Sequence, residues 1–230
     1  MIPPPRPHPL KDIESAEFMI LIGQYDSPFV RRVAIALTLY GLAYEHRPWS
    51  TFGDGDKIGP FNPLRRVPTL VLDDGEVLIE SAAILDALDE LVGEARALCP
   101  SRGAPRRRVL KVCGLGAGLA DKAVALVYER VLHDATSRMW IERCRGQVTG
   151  VLDALEADRA AGAGPWWFGA DMTHADVMVG CALRFVGEAH GEVFDLGLWP
   201  ALHAHAARCE ALPAFGAVQQ EFSGPAGGKV

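Results

Sequence analysis

The apolar pattern of this chain changes its period part-way along, and that change limits the folds open to it. About the first ninety residues carry short apolar runs and two helical patterns, whereas after Pro105 strand signals largely vanish and long helical patterns remain. Short buried runs are typical of strands, and a spacing of three to four residues is typical of amphipathic helices. The sequence therefore predicts an α/β domain followed by an all-α domain.

The α/β part begins with a strand, a helix and a second strand. Residues 18–23 (FMILIG) form a continuous apolar run bounded by glycine, which predicts a buried strand. Residues 28–40 have the apolar spacing of a helix buried on one side, and Gly41 is suited to end it. Residues 43–47 are a second strand candidate. Two strands joined by a helix through short connections predict a right-handed parallel unit.

A hairpin and a helix complete this part. Residues 48–62 contain glycines and prolines and are predicted to be irregular. Strands at residues 69–72 and 76–79 flank the turn Asp74-Gly75, which is typical of a hairpin. Residues 81–91 then have the apolar spacing of a helix.

The domain boundaries follow from composition. Residues 1–17 are proline-rich, lack the apolar core of a secretory signal, and are predicted to be a flexible arm. Residues 18–92 form the first domain, residues 93–104 a linker, residues 105–222 the helical domain, and residues 223–230 a tail. The predicted helices of the second domain span 106–133, 135–160, 200–210 and 213–222, and another begins after Thr173, where Thr173 and Asp176 have capping-box spacing.

Charge and cysteine usage exclude several classes of function. The net charge of -6 and the lack of a long basic stripe argue against a nucleic-acid partner. No apolar stretch approaches the roughly 20 residues of a membrane span. The five cysteines are scattered and odd in number, which predicts reduced thiols and a cytoplasmic location. The histidines lack metal-ligand spacing, so we expect no metal site.

Three local features are candidates for chemistry. Ser27 precedes Pro28 at the start of the first helix, where it either caps the helix or holds an anion there. Val67-Pro68 begins a strand, and a cis peptide there would leave the Val67 backbone free to pair with an extended ligand. Glu80 and Ser81 lie at a strand–helix junction. Ser81 is a possible cap, and a zwitterionic ligand would place its carboxylate at Ser81 and its ammonium at Glu80.

Together these segments resemble the cytosolic glutathione transferase family across residues 18–222. SPFVRRVAIAL resembles the active-site segment of its serine-type classes, such as tau and phi. The resemblance extends to zeta-like and bacterial-type members. NPLRRVPTL and ESAAIL are similar to the family's N-P-x-x-x-V-P-x-L and E-S-x-A-I segments, and THADV is similar to its second-domain capping box. The resemblance implies a thioredoxin-like N-terminal domain, an all-helical C-terminal domain and a homodimer.

The resemblance also implies a role for each segment. Ser27 would donate a hydrogen bond to the glutathione sulfur, a cis Pro68 would present the Val67 backbone to the cysteinyl part, and Glu80 and Ser81 would hold the γ-glutamyl end. Tyr25 is a rival donor, because other classes use a tyrosine at the end of this strand. No cysteine occurs before Cys99, which argues against disulfide exchange through a protein thiol.

Other positions stay open between site and scaffold. Arg66 would bind the glycine carboxylate of glutathione or lie on the surface, and Asp121 would reach the γ-glutamyl ammonium or be an ordinary helix charge. The candidate walls of a second-substrate pocket, each of which would otherwise be core, are Phe29, Trp49, Phe52 and Tyr128.

The leading hypothesis is a glutathione S-transferase that conjugates the glutathione thiolate to small electrophiles, as in detoxification. A glutathione-dependent isomerase similar to maleylacetoacetate isomerase is an alternative. In that class the corresponding segment is similar to SSCSWRVRIAL, whereas in this chain Pro28-Phe29 follow Ser27. A noncatalytic binding module of the same fold is the third hypothesis.

Overall fold

A four-stranded mixed sheet forms the centre of the first domain. The computed structural model describes residues 18–224, with strands β1 Met19–Ile22, β2 Tyr44–Arg47, β3 Thr69–Val71 and β4 Val77–Ile79. The strands lie in the order β2-β1-β3-β4, with β1 and β2 parallel and the other pairs antiparallel. This arrangement confirms the predicted thioredoxin-like domain, and each strand begins and ends within one residue of its predicted bounds.

The helices of the first domain pack on this sheet. They are α1 Pro28–Tyr40, α2 Gly55–Ile58 and α3 Ser81–Val92. Helix α1 has the predicted bounds because Pro28 suits the first helical position and Gly41, at φ 64°, supplies the left-handed stop. Helix α2 lies in a segment predicted to be irregular, and that prediction was wrong for these four residues, where Ile58 is buried.

The second domain is all-helical, as predicted. Its helices are α4 Gly103–Leu132, α5 Arg138–Ala160, α6 His174–His190, α7 Pro200–Glu210 and α8 Pro213–Gly216. Helix α6 begins with the predicted capping box of Thr173 and Asp176. Helix α4 begins inside the predicted linker, at Gly103, and the division of the chain at residues 93–104 stays a prediction.

The last predicted helix is shorter than expected. The sequence predicted a helix over residues 213–222, but α8 ends at Gly216 and residues 218–224 are irregular. The side chain of Arg31 accounts for this, because its guanidinium donates to the carbonyl oxygens of Phe215 and Val218, at 3.1 and 3.0 Å. These tertiary hydrogen bonds take up carbonyl groups that a continuing helix would use.

The two domains share one buried core. A single apolar cluster joins Val33 and Ile84 of the first domain to Val177, Cys181 and Phe215 of the second. The space between the α1 start and helix α4 is therefore bounded by both domains. Residues 1–17 and 225–230, which include the predicted arm and most of the predicted tail, lie outside the described residues. No helix within 18–224 is both long and apolar enough to span a membrane.

Candidate active site

The start of helix α1 carries the first predicted site residue. Ser27 has extended backbone angles and caps the helix, with its Oγ accepting from the Val30 N–H at 3.4 Å. A hydroxyl both accepts and donates, so this cap leaves the Ser27 hydrogen free for another acceptor. Ser27 also lines a large cavity between the domains. The cap and the anion-holding role proposed from the sequence are therefore compatible.

A glycine at the end of β1 brings the Val67 loop beside this helix start. Gly23 has φ 130°, and a Cβ on it would lie 2.5 Å from Val30 Cγ2 and 2.8 Å from Val67 Cβ. Only glycine permits so close an approach. The Val67-Pro68 peptide is cis. Within residues 18–224, neither backbone group of Val67 is hydrogen-bonded, so both are free to pair with an extended ligand.

The side chain of Asn62 fixes the same loop through hydrogen bonds to its backbone, and sequence reasoning missed this role. Its side chain is 2 % exposed, donates to the Arg66 carbonyl at 2.9 Å and accepts from the Leu64 N–H at 3.0 Å. A buried amide that bonds its own loop fixes the backbone leading into Val67. The signal was present in the Asn-Pro pair of NPLRRVPTL, since asparagine commonly hydrogen-bonds the backbone two residues on.

The large cavity has a volume of about 770 Å³, and its lining includes six aromatic side chains. All four predicted pocket residues line it: Phe29, Trp49, Phe52 and Tyr128. Phe52 of the first domain and Tyr128 of α4 meet edge to face, with ring centroids 5.3 Å apart. The volume lies in the range of small-molecule sites, which are mostly apolar with a few polar groups.

A smaller cavity of about 300 Å³ adjoins the large one. It is lined by Pro68, Glu80 and Ser81, among others. The two cavities share four lining residues, all of them predicted for the site: Phe29, Arg66, Val67 and Asp121. The two cavities therefore meet at these four residues, between Ser81 of the small cavity and Ser27 of the large one.

The start of helix α3 forms one end of the small cavity. The helix begins at Ser81 itself, so the interpretation of Ser81 as a cap was wrong, and Glu80 occupies the cap position without a side-chain cap bond. Ser81 is 5 % exposed. The first-turn amides of α3 have neither a side-chain cap nor an acidic neighbour in that turn, so an anion is favoured there.

Glu80 and Arg65 have unusual backbone conformations. They are the two non-glycine residues with positive φ in the described chain, at 65° and 51°. Glu80 lines the small cavity and Arg65 the large one. Backbone strain of this kind costs about 1–3 kcal/mol per residue and is concentrated at functional sites. The two strained residues therefore support a functional role for these two cavities.

The charged groups at the junction are solvent-exposed. The Arg66 guanidinium lies 3.9 Å from the Glu80 carboxylate, and both side chains are more than half exposed. Asp121 pairs with Lys122 at 2.9 Å. These groups are free to exchange their present partners for a charged ligand, because exposed pairs are held by only about 0–1 kcal/mol.

Tyr25, the rival donor, faces away from the cavities. Its hydroxyl lies 2.9 Å from the Tyr44 hydroxyl, and its ring stacks on His46 at 3.8 Å. Burial, reinforced by the hydrogen bond with Tyr44, raises the pKa of Tyr25. Tyr25 is absent from the walls of both cavities.

Several cavity residues were not found from the sequence. They are Gln24, Asp26, Arg65, Phe185 and Phe222. Burial raises the pKa of the Asp26 carboxyl, which lies next to Ser27 in the cavity wall. Arg65 lies within NPLRRVPTL and Asp26 directly precedes SPFVRRVAIAL, whereas Phe185 and Phe222 reach the cavity only through the packing of the second domain.

Comparison with known proteins agrees with this geometry. Residues 21–96 match the model of the glutathione S-transferase N-terminal domain, and residues 138–208 match that of the C-terminal domain. The chain belongs to the glutathione S-transferase family. A maleylacetoacetate isomerase of Pseudomonas aeruginosa is 32 % identical over 206 residues, covering 86 % of this chain and 93 % of that protein. An uncharacterized GST-like protein of Escherichia coli, YibF, is 33 % identical over 139 residues, covering 60 % and 68 %.

Solved transferase structures share the fold. The glutathione S-transferase of Methylobacterium radiotolerans, in complex with glutathione sulfonate, has a TM-score of 0.81 and 26 % identity, covering 89 % of this chain and 97 % of that one. That of Methylobacillus flagellatus, with glutathione bound, has a TM-score of 0.79 and 25 % identity, covering 87 % and 98 %. Among residues 18–224 no cluster of three or more histidine, cysteine, aspartate or glutamate side chains is placed to hold a metal ion.

Proposed function

We propose that this transferase-family protein binds glutathione along both cavities and adds its thiolate to small electrophiles held in the larger one. The observation that carries the proposal is the junction of the cavities at Phe29, Arg66, Val67 and Asp121. The small cavity, on one side of this junction, ends at the start of helix α3, and the large cavity, on the other side, carries six aromatic residues. Two transferase structures with the same fold hold glutathione or its sulfonate.

The small cavity suits the γ-glutamyl end of glutathione. The uncapped first turn of α3 and the Ser81 hydroxyl favour a carboxylate, and the Glu80 carboxylate favours the neighbouring ammonium. The free backbone groups of Val67 suit the cysteinyl part of the tripeptide. Arg66 and Asp121 border both cavities and supply one charge of each sign.

Ser27 is the proposed donor to the sulfur. A cysteine thiol has a pKa near 8.5, so it is mostly protonated at neutral pH, and the thiolate is the nucleophile. Lowering that pKa by two units takes about 2.7 kcal/mol of preferential interaction with the thiolate. The free Ser27 hydrogen and the positive end of α1 together can supply an energy of that order.

The large cavity is the proposed electrophile site. In a substitution, the sulfur forms a bond to the electrophilic carbon, the leaving group departs with the bonding electrons, and the thiol proton passes to solvent. The protein's part is to orient two reactants and exclude water, since proximity and orientation alone account for a large share of such rate enhancements. The aromatic walls bury the apolar body of the electrophile.

Isomerisation is a second candidate, favoured by the relatives. The Pseudomonas aeruginosa isomerase aligns with 86 % of this chain. An isomerase of this kind would add the thiolate to one carbon of a conjugated double bond, whose electron pair moves onto the adjacent carbonyl group as an enolate. After rotation about the resulting single bond, the enolate re-forms the double bond and expels the thiolate. Arg65 and Arg66 at the wall of the large cavity are suited to a carboxylate substrate.

Calorimetric titration with glutathione, followed by two assays, tests the proposal. We expect glutathione to bind and chlorodinitrobenzene to be conjugated. Binding together with maleylacetoacetate turnover and no conjugation would favour the isomerase. Binding without either activity would favour a noncatalytic module, and absence of binding would overturn the proposal. The cytoplasmic location stays a prediction.

A further inference from the structure

The segment after helix α8 packs one face against the rest of the molecule. In residues 217–224, which we call the C-terminal segment, exposure alternates along the chain. Val218, Gln220 and Phe222 are buried or half-buried, whereas Gln219 and Glu221 are exposed. This alternation places every second side chain from Val218 to Phe222 against the rest of the molecule. The segment is therefore held by its inward side chains and by bonds to its backbone.

Four hydrogen bonds attach this segment to three elements. Arg31 of α1 donates to the Val218 carbonyl at 3.0 Å, and the Tyr25 N–H donates to Gln220 Oε1 at 3.0 Å. The Phe222 N–H donates to the Glu188 carboxylate of α6 at 2.9 Å, and the Ser223 N–H donates to Asp26 at 3.3 Å. Gln220 and Ser223, which lie on either side of Phe222, are both bonded to the loop that carries Ser27, at Tyr25 and Asp26.

Phe222 presents its ring to the large cavity. The ring meets Phe185 of α6 edge to face, with centroids 5.3 Å apart, and both side chains line the cavity wall. Pairs of this geometry stabilise a contact beyond the apolar area that they bury. The Phe222 ring can make the same contact with an aromatic group that enters the cavity beside Phe185.

We propose that Phe222 is a specificity-determining residue, which makes the large cavity prefer electrophiles with a flat aromatic group, and that the Gln220 bond to Tyr25 positions it. This inference rests on the proposed function, because it assigns a selectivity to the proposed electrophile site. Phe222 contacts the electrophile body, and Gln220 acts through Phe222. Neither residue lines the small cavity, where the γ-glutamyl end of glutathione is proposed to bind, so we expect their removal to change the binding of glutathione itself little.

Two glutathione derivatives separate these roles without any need for turnover. S-benzylglutathione carries an aromatic group where the electrophile would lie, whereas S-methylglutathione carries almost nothing there. In calorimetric titrations of the full-length protein we expect Phe222→Ala to weaken S-benzylglutathione binding roughly three- to tenfold and to leave S-methylglutathione within about twofold. Phe222→Leu, which keeps the apolar volume, is expected to recover part of the loss. Phe168→Ala, which removes an exposed ring outside both cavities, is the matched control.

The Gln220 variants test the positioning role. Gln220→Ala removes the acceptor for the Tyr25 N–H, and we expect a smaller loss in the same direction, with S-methylglutathione again unchanged. Gln220→Glu keeps an acceptor at that position and is expected to bind both derivatives as the native protein does. If Gln220→Ala keeps the native preference for S-benzylglutathione, the positioning role is wrong.

The remaining outcomes distinguish this inference from the proposed function. An unchanged preference for S-benzylglutathione in Phe222→Ala overturns the inference and leaves the proposed function intact. An equal loss for glutathione and both derivatives also overturns it, because the effect is then not one of selectivity. Failure of the native protein to bind glutathione overturns the proposed function and the inference with it.

Discussion

Ser27 combines a structural and a proposed chemical role in one hydroxyl, and a single substitution separates them. Ser27→Ala removes the donor to the sulfur, so we expect the apparent pKa of bound glutathione to rise and kcat to fall roughly ten- to a hundredfold, or about 1.5–3 kcal/mol. Glutathione affinity is expected to change less. The measurement is the pH dependence of turnover. Because the substitution also removes the helix cap, we expect the free energy of unfolding to fall by about 1 kcal/mol.

Tyr25→Phe is the matched variant for this prediction. Because the Tyr25 hydroxyl meets Tyr44 and not a cavity wall, we expect its removal to leave kcat within about twofold, well under the cost of a bond to a charged group. Full activity in Ser27→Ala combined with its loss in Tyr25→Phe would show that the donor has been assigned to the wrong residue.

Glu80 offers a second test at this scale, because its backbone and its charge can be changed separately. Its carboxylate is largely exposed, so we expect Glu80→Gln to weaken glutathione binding by only about 0.5–1 kcal/mol, as for an exposed ion pair. Glu80→Gly removes the same charge and also relieves the positive φ. Glu80→Gly is expected to bind glutathione as weakly as Glu80→Gln does. Its free energy of unfolding is expected to be about 0.5–1 kcal/mol larger than that of Glu80→Gln, so the Gly variant is the more stable of the two.

Titration calorimetry and denaturant unfolding of these two variants give the comparison. Equal binding by native protein and Glu80→Gln would leave the ligand end of the proposal resting on Ser81 and the helix amides. Equal stability of the Gln and Gly variants would show that the backbone at this position is not strained.

Between elements, one ion-pair network joins α1 to the second domain. Arg31 is 2 % exposed and meets the carboxylate of Glu210 through two bonds, at 2.6 and 2.8 Å, and Arg184 meets it at 3.1 Å. Removing one partner of a buried pair leaves an uncompensated charge. We therefore expect Glu210→Gln to lower the free energy of unfolding by about 2–3 kcal/mol. Glu221→Gln, a charge change on an exposed residue, is the control.

The same network predicts a pH dependence. Burial opposes ionisation of Glu210, but the hydrogen bonds and charges of Arg31 and Arg184 outweigh it and lower the pKa of this carboxyl. A depressed folded-state pKa contributes stability above the unfolded value, about 4.3 for glutamate, and that contribution is lost as the pH falls further. The stability difference between native protein and Glu210→Gln is therefore expected to be full at pH 7 and to shrink below about pH 4. Thermal melts of both proteins across this range measure it.

For the whole molecule, we predict a homodimer, as the family resemblance implies. Several large apolar side chains are exposed on the single chain, among them Leu64, Leu91, Leu110 and Met139. Closed two-fold dimers are the commonest oligomers, so we expect sedimentation at micromolar concentration to give about 50 kDa, twice the 24.8 kDa of one chain. A species of monomer mass alone would contradict the prediction. If a dimer is found, Leu64→Glu and Leu110→Glu test whether these exposed residues lie at its interface.

Local signals in the sequence were enough for the strands and for the bounds of several helices. The bounds of α1 follow from Ser27, Pro28 and Gly41, because a cap, a first-position proline and a left-handed glycine act within one turn of the helix. The Asn62, Val67-Pro68 and Glu80-Ser81 segments are likewise contiguous. Their similarity to known segments was therefore readable in order along the chain.

Tertiary contacts decided what local signals could not. Residues 217–222 contain no strong helix breaker, yet they are not helical. Arg31, nearly two hundred positions earlier, donates to the carbonyl groups of Phe215 and Val218, and these bonds also satisfy its buried guanidinium. The Ser81 cap was wrong for a related reason, since the chain turns at Glu80 in a conformation that propensity disfavours. Phe185 and Phe222 reach the large cavity through the packing of the second domain, where their rings meet. Such contacts join residues distant in sequence, and so only packing of the whole chain determines them.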